Sequence, residues 1–97
     1  MTNETTEMWR EHREEKAARR RLELQKAEAE MDVTRACAAK GGYEIVVSTD
    51  THWIVKKSGR VVAQYWPSAN KWQVSRTSKI VRGTRDKFRE HLSRGNF

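Results

Sequence analysis

The stretch His52-Trp53-Ile54-Val55-Lys56-Lys57-Ser58-Gly59-Arg60-Val61-Val62-Ala63-Gln64-Tyr65-Trp66 decides the fold. β-branched and aromatic residues dominate on both sides of Ser58-Gly59, and a short Gly-containing pair between two such runs predicts a β-hairpin with a two-residue turn. Toward the N-terminus, Tyr43, Ile45 and Val47 alternate with Glu44, Val46 and Ser48, a period of two that predicts a preceding strand, and Thr49-Asp50-Thr51 reads as the turn between them. Toward the C-terminus, Pro67 cannot donate to a ladder and ends the third strand. Ser68-Ala69-Asn70 turns the chain into a fourth strand over Lys71 to Arg76, and Thr77-Ser78 leads to a short one at Ile80 to Arg82. Gly83-Thr84 reads as a helix start with Thr84 as N-cap, and Phe88 and Leu92, four apart, give that helix an apolar stripe with His91 at its margin. Strands in series joined by short turns are antiparallel.

The N-terminal part has a different character. From Thr5 to Ala39 there is no Gly or Pro, and Ala, Glu, Arg, Lys, Leu and Met prevail, which predicts one long helix. Glu15 and Arg19, Arg19 and Glu23, and Lys26 and Glu30 are spaced to pair along it. Ala17, Leu24, Met31 and Ala38 recur every seven residues, a stripe too small for a strong coiled-coil seam, so docking of residues 22–39 on the sheet is favoured over self-association through this helix. Gly41-Gly42 provides the C-cap. The fold class is therefore α+β: a long N-terminal helix, a four- or five-stranded antiparallel β-meander and a short C-terminal helix, organised as a charged helical segment (1–40) and a basic sheet module (41–97). One sheet face is expected to hold Tyr43, Ile45, Val47, Val55, Val61, Ala63, Tyr65, Trp72 and Val74 against Phe88 and Leu92. The other carries Val46, Ile54, Val62 and Trp66 among Lys56, Gln64 and Arg76, with the N-terminal helix as its expected cover.

The chain of 97 residues has 20 Lys+Arg against 13 Asp+Glu, a net charge of +7. Residues 1–40 are net neutral, so residues 41–97 carry the whole excess, together with every aromatic residue except Trp9. A mean hydropathy of −0.96 and the lack of any long apolar run speak against a membrane span. The charged segment Met1 to Arg13 lacks the apolar centre of a secretory signal, and the single cysteine, Cys37, has no internal partner, so the expected location is the cytoplasm.

Catalytic and metal chemistry find little support. His12, His52 and His91 have no spacing that sets two on one helix face, Lys40-Gly41-Gly42 lacks the frame of a phosphate loop, and Glu44, Asp50, Asp86 and Glu90 are the only carboxylates of the sheet module. Asp50 and His52 flank one turn, where Asp serves ordinary turn chemistry. No cofactor, metal or catalytic residue is expected, and a nuclease, which would need a converging carboxylate cluster, is only a distant third reading. The positive surface instead attracts polyanions. Its candidate nucleic-acid-binding residues are Lys56, Lys57, Arg60, Trp66, Lys71, Arg76, Lys79, Arg82 and Arg85, in which Lys and Arg neutralise phosphates and Trp66 can stack a base. Trp72, beside Val74, belongs to the core.

The segment Gly59-Arg60-Val61-Val62-Ala63-Gln64-Tyr65-Trp66-Pro67-Ser68-Ala69-Asn70-Lys71-Trp72 resembles a hairpin of small phage-encoded proteins, in which Gly-Lys-Val leads to an aromatic pair, Pro-Ser or Pro-Thr, and then Gly-Lys-Trp. Arg60 stands here for the Lys and Asn70 for the Gly, and Asn tolerates the same left-handed turn. The order of sheet, Arg82-Gly83-Thr84 and helix is also similar to sheet-reading DNA-binding domains of the integrase-arm type, and helix, three strands and helix to the double-stranded RNA-binding domain, although Arg85-Asp86-Lys87 replaces the latter's lysine run. The phage likeness implies action in the host cytoplasm and two roles. The first is a non-enzymatic protein that binds DNA or RNA through a basic sheet surface. The second is an inhibitor or adaptor of a host defence complex, anti-CRISPR-like, acting by protein-protein binding through the N-terminal helix and a sheet face; its basic sign rules out DNA mimicry.

Overall fold

A computed structural model describes the backbone of residues 3–97 and the side chains of residues 13–97; the side chains of Trp9 and His12 lie outside the described residues. The elements are α1 (Asn3–Ala29), α2 (Met31–Lys40), β1 (Glu44–Thr49), β2 (His52–Lys57), β3 (Arg60–Trp66), β4 (Lys71–Val74), β5 (Ile80–Arg82) and α3 (Arg85–Arg94). The strands form one antiparallel sheet in the order β1-β2-β3-β4-β5, the five-stranded version of the expected meander. No described helix is long and apolar enough to cross a membrane.

The β2–β3 hairpin closes as its sequence predicts. Lys57 faces Arg60, and Ser58 and Gly59 both take positive φ, 52° and 78°. Two left-handed residues in series make a type I′ turn, whose twist matches the flanking strands. A Cβ on Gly59 would have nothing within 4 Å, so only backbone conformation resists substitution. Gly59→Val is expected to cost at least the ~1–2 kcal/mol of a left-handed L-residue, read as a lowered urea midpoint; an unchanged midpoint would refute the turn assignment.

The core lies on one side of the sheet. Ile45, Trp53, Val55, Ala63, Tyr65 and Trp72 are buried there against Phe88 and Leu92 of α3, Ala38 of α2 and Ala27 of α1. Tyr65 stacks on Phe88 with ring centroids 3.9 Å apart and planes at 5°. Thr84 caps α3 as expected, accepting from the Lys87 N–H at 3.3 Å. Three expectations need correction. Val61 is exposed and Val62 packs against the core, because Val55 faces Ala63 while Lys56 faces Val61. That register shift leaves Val62 as an extra residue, and a bulge breaks the alternation of faces. Val47, near the end of β1, is exposed rather than buried. The N-terminal helix does not cover the second face, since Ala27 and Ala38 join the same core cluster as α3. Val46, Ile54, Lys56, Gln64, Lys71 and Gln73, on the opposite face by alternation and register, stay partly exposed.

The long helix is also two helices. Glu30 separates them with φ −98° and ψ 10°, and the Thr34 hydroxyl donates to the Glu30 carbonyl at 3.1 Å, a back-bond that favours bending. The side chains of Glu23 and Glu30, expected to pair along the helix with Arg19 and Lys26, reach across to α3 instead. Arg85 donates to the Glu23 carboxylate at 2.7 Å and approaches Glu30 at 3.4 Å, while Arg89 bridges Glu30 and Asp86. Asn70, with φ 49°, donates to Glu23 at 3.0 Å and accepts from the buried Tyr65 hydroxyl at 3.1 Å. This network is a latch that ties α1 to α3 and sets the angle at which α1 leaves the body. A 27-residue helix is about 40 Å long, and the molecule is correspondingly elongated, 59 × 28 × 21 Å.

Both glutamates titrate below the usual carboxylate range, Glu23 through hydrogen bonds from Asn70 and Arg85 and Glu30 through that from Arg89. A carboxylate with a depressed folded-state pKa stabilises above its unfolded value and loses that contribution as pH falls through the folded one. Thermal stability is therefore expected to drop between about pH 5 and pH 3, with a smaller drop in Glu23→Gln. Equal pH dependence in the two proteins would remove Glu23 from the latch.

Candidate functional site

Turns β1–β2 and β3–β4 lie at one end of the meander, and turns β2–β3 and β4–β5 at the other. This alternation separates the expected binding residues. Lys57, Arg60, Arg76 and Lys79 sit at the far end, where Arg60 and Arg76 share a shallow cavity of about 190 Å³ with Val61 and Phe97. Lys56 lies on the open face opposite Glu44. At the near end, Trp66 faces Lys71 across β3–β4 and Lys71 faces Arg82 across β4–β5, so the three form one row over neighbouring strands. The ends are about 20 Å apart, from six steps of ~3.3 Å along β3. Arg85 is not on the expected surface: its side chain is 13% exposed and is held by Glu23 and Glu30.

His52 extends the near-end row. Its ring stacks on the Trp66 indole, with centroids 5.2 Å apart and planes at 21°, and its Nε2 is 2.8 Å from Gln64 Oε1. The hydrogen-bonded partner of His52 is thus Gln64, not the Asp50 that shares its turn. On the other side, the Lys71 ammonium lies over the Trp66 ring, 5.4 Å from its centroid. Pro67, almost fully buried, fixes the backbone that carries the indole. These contacts hold Trp66 half-exposed at the sheet end.

α1 runs past this end and borders an open groove with it. About 700 Å³ in volume, the groove is lined on the helix side by Arg13, Lys16, Ala17, Arg20, Arg21 and Leu24, and on the sheet side by Thr51, Trp66, Ser68, Ala69 and Lys71. Five cationic side chains and one indole thus surround one space, and among the described residues no carboxylate lines it. Within such a cluster the like charges raise the local potential for an anion.

The four helix cations are invisible in the net charge, because residues 1–40 carry as many acidic as basic side chains. A signal for them exists. Positions 13, 16, 17, 20, 21 and 24 follow the i, i+3, i+4, i+7, i+8, i+11 rule for one helix face, and four of the six are Lys or Arg. The partner of this stripe is Trp66, which comes from 40 residues or more further along the chain. Compared with family models, curated proteins and solved structures, the chain matches none of them.

Proposed function

We propose that this is a non-enzymatic nucleic-acid-binding protein that holds its ligand in the groove between α1 and the β3–β4 end of the sheet. The observation that carries this reading is the convergence of Arg13, Lys16, Arg20, Arg21 and Lys71 on the Trp66 indole in a space that, among the described residues, no carboxylate lines. Cations alone would suit any polyanion; an aromatic platform among them suits a ligand that alternates phosphates with flat bases. Lys56 and Arg82 on the adjoining sheet face extend the positive surface from the groove. Lys57, Arg60, Arg76 and Lys79, at the far end, contribute to the long-range field that draws a polyanion in. The likeness of the Gly59–Trp72 segment to phage hairpins is compatible with a role in replication or gene control.

The test is retention of the full chain on immobilised DNA and RNA at about 50 mM salt, where phosphate contacts are strongest. Retention that falls steeply with added salt is the expected result. No retention on either polymer would end this reading and leave the protein-binding inhibitor or adaptor role in its place.

A further inference from the structure

We infer that the groove selects single-stranded over duplex nucleic acid, an unpaired base stacking on Trp66 while the α1 cations hold the flanking phosphates. The inference rests on the nucleic-acid reading above and narrows its ligand. Three observations carry it. First, Trp66 is held in place by His52 on the indole and by buried Pro67 behind it, and its partly exposed ring opens into the groove. Bases within a duplex have their faces covered by neighbours, so such a platform contributes only when a base is unpaired. Second, the open groove, about 700 Å³ in volume, falls within the ~300–1,000 Å³ range of sites for small ligands, room for a nucleotide or two against the indole.

Third, the direction of the charged helix face matters. A helix that reads duplex DNA enters the ~12 Å major groove with its contact face turned outward from its own protein. Here Arg13, Lys16, Arg20 and Arg21 turn inward, toward Trp66 and the β3–β4 turn. A single strand is slim and flexible enough to lie in the groove between α1 and the sheet end and meet all of them. Lys71 adapts to the ligand: its ammonium leaves the indole as a base arrives, and its flexible stem carries it to the adjoining phosphate.

The experiment measures binding of a fluorescently labelled oligodeoxythymidine of about fifteen nucleotides, and of a duplex of the same length, to wild type, Trp66→Leu and Trp66→Phe. The expected result is tighter binding of the single strand by wild type, with a loss in Trp66→Leu of about 5- to 150-fold for the single strand only. Trp66→Phe, which keeps an aromatic face, is expected to recover most of that loss. If Trp66→Leu does not fold, the single-strand to duplex ratio of wild type and Trp66→Phe still decides. Equal affinity for the two polymers, or an equal loss for both in Trp66→Leu, would overturn strand selection while leaving nucleic-acid binding intact. Failure of wild type to bind either polymer would overturn both.

Discussion

Gly41→Ala is expected to lower the melting temperature by about 10 °C or more, and by more than Gly42→Ala does. The two neighbours serve the end of α2 for different reasons. Gly42 has φ +83°, and the Tyr43 N–H donates to the Ala38 carbonyl at 2.7 Å while the Gly42 N–H donates to that of Ala39 at 3.1 Å. This is the left-handed helix cap that the glycine pair announces. An alanine at Gly42 has space, the nearest atom being Lys57 Cε at 3.9 Å, and loses only the ~1–2 kcal/mol of a left-handed L-residue.

Gly41, by contrast, has an ordinary φ of −86° and needs glycine because of what lies against it. A Cβ there would stand 1.7 Å from the Leu92 carbonyl oxygen and 2.9 Å from its carbon. That carbonyl cannot retreat cheaply, since Leu92 is fully buried and its oxygen accepts from the Gly95 N–H at 3.2 Å. To admit a methyl group, α2 and α3 must separate, loosening the contact that buries Ala38 and Leu92. Overpacking against side chains costs ~1–3 kcal/mol, and against backbone the upper part of that range is expected. Thermal unfolding of the two variants checks the order; a Gly41→Ala protein at least as stable as Gly42→Ala would show that the helices do not approach this closely.

These glycines illustrate what the sequence makes legible. Local conformational signals are readable in isolation: the Ser58-Gly59 turn, the Thr84 cap and the glycine end of α2 each depend on residues a few positions apart. Long-range conditions are not. Near Glu30 only Thr34, whose hydroxyl can bond back to the Glu30 carbonyl, hints at the break between α1 and α2, and Glu23 and Glu30 find Arg85 and Arg89 more than fifty residues away. The bulge at Val62 exchanges the expected positions of Val61 and Val62, and alternation alone carries no sign of it. For the site, Trp66, Lys71 and Arg82 were identifiable as an aromatic among cations, and strand pairing sets them in one row. Arg85 looked equivalent to them but serves the latch on α1. Arg13, Lys16, Arg20 and Arg21 were hidden by a charge sum taken over the whole segment, although their spacing on one helix face was readable.

The groove's claim to be the binding site rests on those four cations, and their removal is expected to have the largest effect on function. In Arg13→Gln, Lys16→Gln, Arg20→Gln and Arg21→Gln combined, the helix keeps its propensity, because Gln is nearly as good a helix former as Arg or Lys. The latch residues Glu23, Glu30, Arg85 and Arg89 are untouched. A second protein, with Lys57, Arg60, Arg76 and Lys79 changed to Gln, loses the same net charge at the far end of the sheet and separates local contact from overall charge. The deciding measurement is the salt dependence of oligodeoxythymidine affinity for these two proteins and the wild type. With three to five phosphates neutralised, wild type should show a slope of log affinity against log salt between about −2 and −3.5, from −0.7 per contact. The account predicts a slope reduced to about −0.7, the one contact left to Lys71, for the helix variant and one near that of wild type for the far-end variant; a helix variant that keeps the wild-type slope while the far-end variant loses it would contradict the groove as the binding site.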